Sequence, residues 1–252
     1  MSEKNVIFDF DGTISTLRHG WEQIMQPLML EMICPDGQFP DALVKKVSDY
    51  IDASTGIQTA YQMQWLADEV KKATGKAEDV WYYKARYNEK LLDMVARKKQ
   101  LVLCGRASRS DYLIEGSVSF LAALRERGCK MYLASGTDDA DVRAEAAFLG
   151  VDGFFADIKG APSGSFGCSK ELVMRQLMEQ SDGADMVVVG DGRVEIELSK
   201  HFGALSIGVA SDEDARHGVN AHKKARLQAA GADVICGDFT DADTLIARIF
   251  EG

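Results

Sequence analysis

The feature that most limits what this chain can become lies near its start. Residues 6–13 read Val-Ile-Phe-Asp-Phe-Asp-Gly-Thr, a short apolar run that ends in two carboxylates one residue apart, followed by a glycine. An apolar run of this length without clean alternation reads as a strand covered on both faces. Acids at the end of such a strand are costly to bury. They serve either a plain Asp-Gly turn or a site that needs them. Side chains alternate along a strand, but the backbone turns at its carboxyl end. Asp9 and Asp11 can therefore converge on the crevice where open parallel sheets bind ligands.

Further runs of strand length occur at Met131–Ala134, Met186–Val189, Leu205–Val209 and Val234–Ile235. Helical patterns lie between them: Val118–Arg127 closed by Gly128, Ala140–Leu149 closed by Gly150, and Lys170–Glu179. Strand alternating with helix predicts an α/β fold, a parallel sheet with helices on both faces. From about Thr16 to Ser110 that rhythm stops. The stretch lacks a buried strand pattern and carries amphipathic helical patterns instead. One starts at Asp79, where Val80, Tyr83, Tyr87, Leu91 and Met94 recur three or four apart. Another covers Ile57–Lys72, with Ser54-Thr55 as its start signal and Gly75 as its stop. An inserted helical unit is expected there.

Composition narrows the partners. The net charge of −10 repels polyanions, so nucleic acid and anionic membrane are unexpected partners. No apolar stretch approaches the roughly 20 residues needed to cross a bilayer. The start MSEKNVIFDFDG enters a strand pattern with no basic segment and long apolar run before it, so a cytoplasmic address is expected. Cys34, Cys104, Cys129, Cys168 and Cys236 are odd in number and form no Cys-x-x-Cys pair, so reduced thiols are expected rather than a disulfide framework or a zinc site.

Three later segments add chemistry in order. The strand pattern Lys130–Ala134 ends in Ser135-Gly136-Thr137, a hydroxyl beside a glycine whose N–H can approach an anion closely. Lys170 opens a helix, where its ammonium and the positive helix end act together. The run Met186–Val189 ends in Gly190-Asp191, and Glu195 follows four residues on.

In these four segments the chain resembles the haloacid dehalogenase (HAD) superfamily, in its phosphoglycolate phosphatase and β-phosphoglucomutase-like branch. The family's first motif, DxDGT, is matched by Asp9, Asp11, Gly12 and Thr13. Ser135 matches the hydroxyl of the second motif, Lys170 the lysine of the third, and Gly190-Asp191 with Glu195 the acidic fourth. The resemblance implies a Rossmann-like core over residues 1–15 and 112–252, and a C1-type helical cap over 16–111. It further implies that Asp9 is the nucleophile and forms an aspartyl-phosphate. Asp11 would protonate the leaving alkoxide and then take a proton from water. Asp11, Gly12, Ser135, Gly136 and Lys170 would hold the phosphoryl group. Asp9, the main-chain carbonyl of Asp11, and Asp191 would ligate Mg²⁺, with Glu195 supporting it directly or through water. Dehalogenases lack the second aspartate and the pumps of the superfamily carry threonine there, so the pair resembles a phosphatase or phosphomutase. A small phosphorylated metabolite, such as a sugar phosphate or phosphoglycolate, is the implied substrate.

Charge supports an obligatory metal. Four carboxylates, Asp9, Asp11, Asp191 and Glu195, against one ammonium, Lys170, would repel a phosphate dianion. A divalent cation and a proton on Asp11 bring that sum to neutrality, and each unit charge at about 4 Å is worth about 4 kcal/mol at an effective dielectric of 20.

Substrate selection is less legible. Arg18 and His19, past the first motif, and Arg106 and Arg109, near the return to the core, could contact substrate, but read more readily as solvated linker charges. β-Phosphoglucomutase, the competing enzyme reading, carries a histidine twelve residues after its nucleophile. Trp21 stands at that position here and His19 lies two residues off, which favours transfer to water. The segment 211–226 is longer than its counterpart in many relatives. It follows the carboxyl end of a strand, and reads equally as a wall of the site's mouth or as a solvated helix. His217 and His222 within it lack a metal-binding spacing. A non-catalytic phosphate-binding or regulatory module is the reading from another class, and retention of Asp9, Asp11, Ser135, Lys170 and Asp191 together speaks against it.

Overall fold

The computed structural model describes residues 4–167, 169–179 and 186–250; Cys168 lies outside the described residues. Six parallel strands form one sheet: β1 (Asn5–Phe8), β2 (Lys130–Asp138), β3 (Asp157–Ala161), β4 (Met186–Gly190), β5 (Leu205–Val209) and β6 (Val234–Cys236). Their order is β3-β2-β1-β4-β5-β6. The chain builds outward from β1 in one direction, then returns to its other side with β4. The crevice where direction reverses, at the carboxyl ends of β1, β2 and β4, is the expected ligand position in such a sheet.

Alternation on β1 explains the two layers. Val6 and Phe8 point into a cluster with Met131, Leu133, Val187 and Val189, covered by α5 (Ser117–Glu126), α6 (Asp139–Leu149) and α10 (Ala242–Phe250). Ile7 points the other way, to Ala134, Val188 and the apolar face of α7 (Ser169–Met178). The helix α8 (Arg193–Phe202) packs on β4 and β5, beside α9 (Ala221–Ala230). Phe8, Phe120 and Phe239 are essentially inaccessible to water and meet edge-on and stacked at ring separations of 6.1 and 4.9 Å.

Between β1 and α5 run four α-helices, α1 (Glu22–Ile33), α2 (Asp41–Ala53), α3 (Thr59–Thr74) and α4 (Val80–Leu103). They enclose a separate apolar cluster with Met25, Met29, Met63, Leu66, Tyr83 and Tyr87 at its centre. The expected stripe on α4 faces this cluster, and the Asp79 carboxylate caps the helix by accepting from the Trp81 N–H at 2.8 Å.

Three expectations need correction. Ser54 and Thr55 do not start α3: they end α2, and the cap position of α3 is Gln58, whose side chain is engaged elsewhere. The edge strand β3 had no strand signal, because Asp157, Lys159 and Gly160 break its apolar run. The strand β2 extends past Ala134 to Asp138, with a shift in register to β3 between those residues. Ser135-Gly136-Thr137 is therefore an irregular stretch within a strand, not the turn after one. Cys34, Cys104, Cys129 and Cys236 are free thiols, and among the described residues no helix is long and apolar enough to cross a membrane.

Candidate functional site

Sheet register brings the chemistry together. Phe8 pairs with Leu133 on one side and Val189 on the other, so Asp9 and Asp191, just past the ends of β1 and β4, and Ser135, within β2, lie on three adjacent strands within a step of each other. The Asp9 N–H continues the ladder to the Val189 carbonyl at 2.9 Å. The chain then folds into a tight loop, with the Gly12 N–H donating to the Ser15 carbonyl at 2.9 Å. Gly12 has φ +74°, and a Cβ there would overlap the Asp191 carboxylate, so only glycine fits.

Lys170 arrives in the first turn of α7. Its Nζ lies 3.0 Å from Asp9 Oδ2 and 2.8 Å from Glu195 Oε2, and all three side chains are buried. Asp9, Asp191 and Glu195 each offer an oxygen within 4.8 Å of the others. Burial pushes the Asp9 carboxyl well up; Lys170 opposes this, while Glu195, Asp191 and Asp11 add to it. Asp191 is likewise raised by burial. Buried, crowded carboxylate oxygens with too little positive charge among them are a donor set that fits a hard divalent cation such as Mg²⁺.

Glu195 is better satisfied. Burial would raise its pKa, but Lys170 and the Gly192 N–H outweigh that and hold it low. Its Oε1 also accepts from the N–H of Gly192, the N-cap residue of α8, and Gly190 leaves the room for it, since a Cβ there would overlap its side chain. Glu195 sits beneath the cavity and forms no part of its wall.

Asp11 faces a different environment. Its Oδ2 accepts from Thr137 Oγ1 at 2.8 Å, while its buried Oδ1 has no partner among the described residues. Burial pushes this carboxyl up to about 6, against the pull of the Arg18 guanidinium. Thr137 had been assigned no role. The signal available was a hydroxyl directly after Gly136.

Asp9, Asp11, Thr137, Lys170 and Asp191 floor a cavity of about 100 Å³ whose floor also includes Gly12, Ser135 and Gly136, and whose roof is Trp21, Ile57, Gln62 and Tyr87 from the helical insert. The insert rests close: a Cβ on Gly136 would stand 3.1 Å from the Ile57 carbonyl oxygen. The Gln58 amide bridges to the far side, donating to the Ser165 carbonyl and accepting from the Gly167 N–H, both at 2.9 Å.

Arg18 is not a solvated linker charge. It lines the cavity, buried, and its guanidinium is held by Glu145 at 2.7 and 3.1 Å and Asp141 at 3.4 Å. An arginine next to buried Asp11 finds two more carboxylates on α6, a partnership invisible in sequence because they lie far along the chain. His19 is partly buried between Glu213 and Asp214, and so departs from the solvated reading too. Hydrogen bonding to Glu213 leads the effects that raise its pKa to about 9. Arg106 and Arg109 are exposed, as expected.

The segment 211–226 reaches the site. Lys223, in the first turn of α9, places Nζ 2.7 Å from Asp191 Oδ2 and 2.6 Å from Glu213 Oε1. Nothing in the sequence beyond the segment's position after β5 pointed to it. His222 is exposed, 3.7 Å from Asp52, and His217 is exposed.

The family model for haloacid dehalogenase-like hydrolases matches residues 3–203. Among solved structures, the chain is similar to a predicted phosphatase from Clostridium acetobutylicum (17% identity, TM-score 0.64, covering 100% of both chains). It is also similar to a predicted phosphoglycolate phosphatase from Haemophilus somnus (17%, TM-score 0.64, 97% of this chain and 98% of that one). A third is β-phosphoglucomutase from Clostridium difficile (15%, TM-score 0.65, 99% and 98%). At these identities the likeness is one of fold. No curated protein matches.

Proposed function

The chain belongs to the haloacid dehalogenase-like hydrolases, and from that premise we propose that it is a phosphatase that hydrolyses a small phosphomonoester through an aspartyl-phosphate, with Mg²⁺ as cofactor. In this reading residues 1–15 and 112–252 are the catalytic core and 16–111 its cap. The observation that carries it is the pairing, in one cavity, of an Asp9 carboxylate held by Lys170 with an Asp11 carboxyl whose buried Oδ1 has no partner among the described residues.

Asp9 attacks phosphorus; the bond from phosphorus to the ester oxygen breaks, and the departing oxygen takes the Asp11 proton. Asp11, now ionised, accepts a proton from water, whose oxygen displaces Asp9 and releases inorganic phosphate. A carboxyl poised near 6 can hold either state, and the Thr137 hydroxyl fixes its orientation. Lys170, Ser135 and the Gly136 N–H stand where phosphoryl oxygens need donors. Asp9, Asp191 and, beneath them, Glu195 would hold Mg²⁺, which when bound supplies positive charge against phosphoryl oxygens and carboxylates alike.

Two observations bear on the acceptor and the substrate's size. His19 is engaged by Glu213 and Asp214 and lies outside the cavity wall, where Trp21 stands instead; this favours water over a sugar hydroxyl. The cavity has space for a phosphoryl group and a short leaving group, such as that of phosphoglycolate or a small sugar phosphate. The test is inorganic phosphate release from a panel of phosphorylated metabolites with Mg²⁺, with chelator, and in Asp9→Asn. Turnover should vanish in chelator, return with Mg²⁺, and fall by at least about 10³-fold in the variant. Full turnover in either condition rejects the assignment.

A further inference from the structure

Lys223 is a charged group against the site that the phosphatase reading does not use. Its position is built, not incidental. Asn220 caps α9 by accepting from the His222 and Lys223 N–H groups, both at 3.0 Å, which fixes where the lysine leaves the helix. Its side chain is only 13% exposed and its ammonium fills all three donor positions, to Asp191 Oδ2, Glu213 Oε1 and, at 3.2 Å, Ser211 Oγ. Ser211 in turn donates to the Gly12 carbonyl. One turn along the same helix, Arg226 Nη2 donates to the Asp191 main-chain carbonyl at 3.3 Å. α9 therefore meets Asp191 at both its side chain and its backbone.

Resting on the reading of Asp191 as a metal ligand, we propose that Lys223 sets the charge balance of the site, weakening its hold on the divalent cation and strengthening its hold on the phosphoryl dianion. The carboxylates Asp9, Asp11, Asp191 and Glu195 face Lys170 alone in the sequence-level count, which makes a trap for cations and a barrier to phosphate. Glu213, which shares Lys223, is also in contact with His19, so the ammonium is not spent on Glu213 alone and offsets Asp191. A fixed positive charge there repels a divalent ion and attracts an anion. The two effects must have opposite signs. A scaffold residue whose loss loosens the site would weaken both ligands together.

That difference is the test. Mg²⁺ binding without substrate, and inorganic phosphate binding at saturating Mg²⁺, are measured by calorimetry on the full chain and on Lys223→Met and Lys223→Gln. The glutamine keeps a donor for Asp191 and protects against failure of the methionine variant to fold. Both variants are expected to bind Mg²⁺ several-fold more tightly and phosphate about tenfold more weakly. Weakening of both ligands, no change beyond twofold in either, or wild-type behaviour in Lys223→Gln overturns the proposal. If the wild-type chain binds neither Mg²⁺ nor phosphate, the metal-site reading itself has failed, whatever the variants do.

Discussion

Two lysines, each in the first turn of a helix and each lodged between two carboxylates, flank the site: Lys170 lines the cavity, and Lys223 meets it through Asp191 and Glu213. Lys170 joins Asp9 and Glu195 with its side chain 3% exposed. Lys223 joins Asp191 and Glu213 at 13% exposure. In both, burial would lower the ammonium's pKa and the paired carboxylates hold it above its usual value instead. The surroundings differ. Glu195, the second partner of Lys170, is sealed beneath the site, whereas Glu213 reaches outward to His19 and the exposed Asp214. The first corner is a closed ion cluster; the second is the inner end of a chain of charges that leads to solvent. Removing a charge from the closed corner leaves bare carboxylates with no water to relieve them. In the open corner, water and salt can take up part of the loss.

The largest expected effect therefore lies at the closed corner. Lys170→Met leaves Asp9 and Glu195 uncompensated and should cost about 3–5 kcal/mol of stability. At about 2–4 °C per kcal/mol for a chain of this size, the Tm falls by roughly 10 °C. Loss of a donor to the phosphoryl oxygens should also lower kcat by about 10²- to 10³-fold. Lys223→Met, measured by the same thermal melts, should lose less than half as much in Tm. Equal losses would erase the distinction between closed and open corners.

The closed corner could be read from the sequence and, of the open one, only Asp191 could, for a physical reason. Asp9, Lys170 and Asp191 each follow or open a strong local pattern: an apolar run whose end must turn, or the first turn of an amphipathic helix. Pattern placed them at the carboxyl edge of the sheet, and the register of β1 with β2 and β4 then did the rest. Lys223, Arg18 and Thr137 act through partners 32, 127 and 126 residues away, pairings that no local periodicity encodes. The same limit explains β3, an edge strand with polar residues where burial makes no demand, and Gln58. That glutamine falls inside the helical pattern Ile57–Lys72 and serves as a clasp to the 165–167 segment.

Gly12 links the two corners and should give an intermediate effect. Its Cβ position overlaps Asp191 Oδ2 and lies 3.1 Å from Lys223 Nζ, at a backbone φ of +74°. Gly12→Ala should cost about 1–2 kcal/mol for the left-handed backbone alone. Because the new methyl displaces the Asp191 carboxylate, activity should fall further than stability, by about 10²-fold in kcat at saturating Mg²⁺. Steady-state kinetics beside a thermal melt separates the two. A variant with a lower Tm and unchanged kcat would mean that the placement of Asp191 tolerates displacement, and the joint between the corners would carry no catalytic weight.

The smallest effect belongs to the outer end of the open corner, where the sign is set by two shifts in opposite directions. His19 rises from 6.5 to about 9, led by its hydrogen bond to Glu213, with Asp214 also facing it and Lys98 bonded to its main-chain carbonyl. Glu213 falls from 4.5 to about 2; burial acts to raise it, but His19 and Lys223 prevail. The histidine's contribution is complete below its unfolded value and disappears as pH rises through about 9. The glutamate's is complete above its unfolded value and disappears as pH falls through about 2. Both are therefore in full force only between about 4.5 and 6.5. His19→Gln should lower the Tm by a few degrees at about pH 6, and by progressively less as pH rises from about 6.5 through 9. Because His19 is about a third exposed, about 1 M salt should shrink the difference at pH 6 as well. A Tm difference that stayed constant over this range, and in salt, would mean that the outer pair contributes by packing. The open corner would then be as closed as its counterpart.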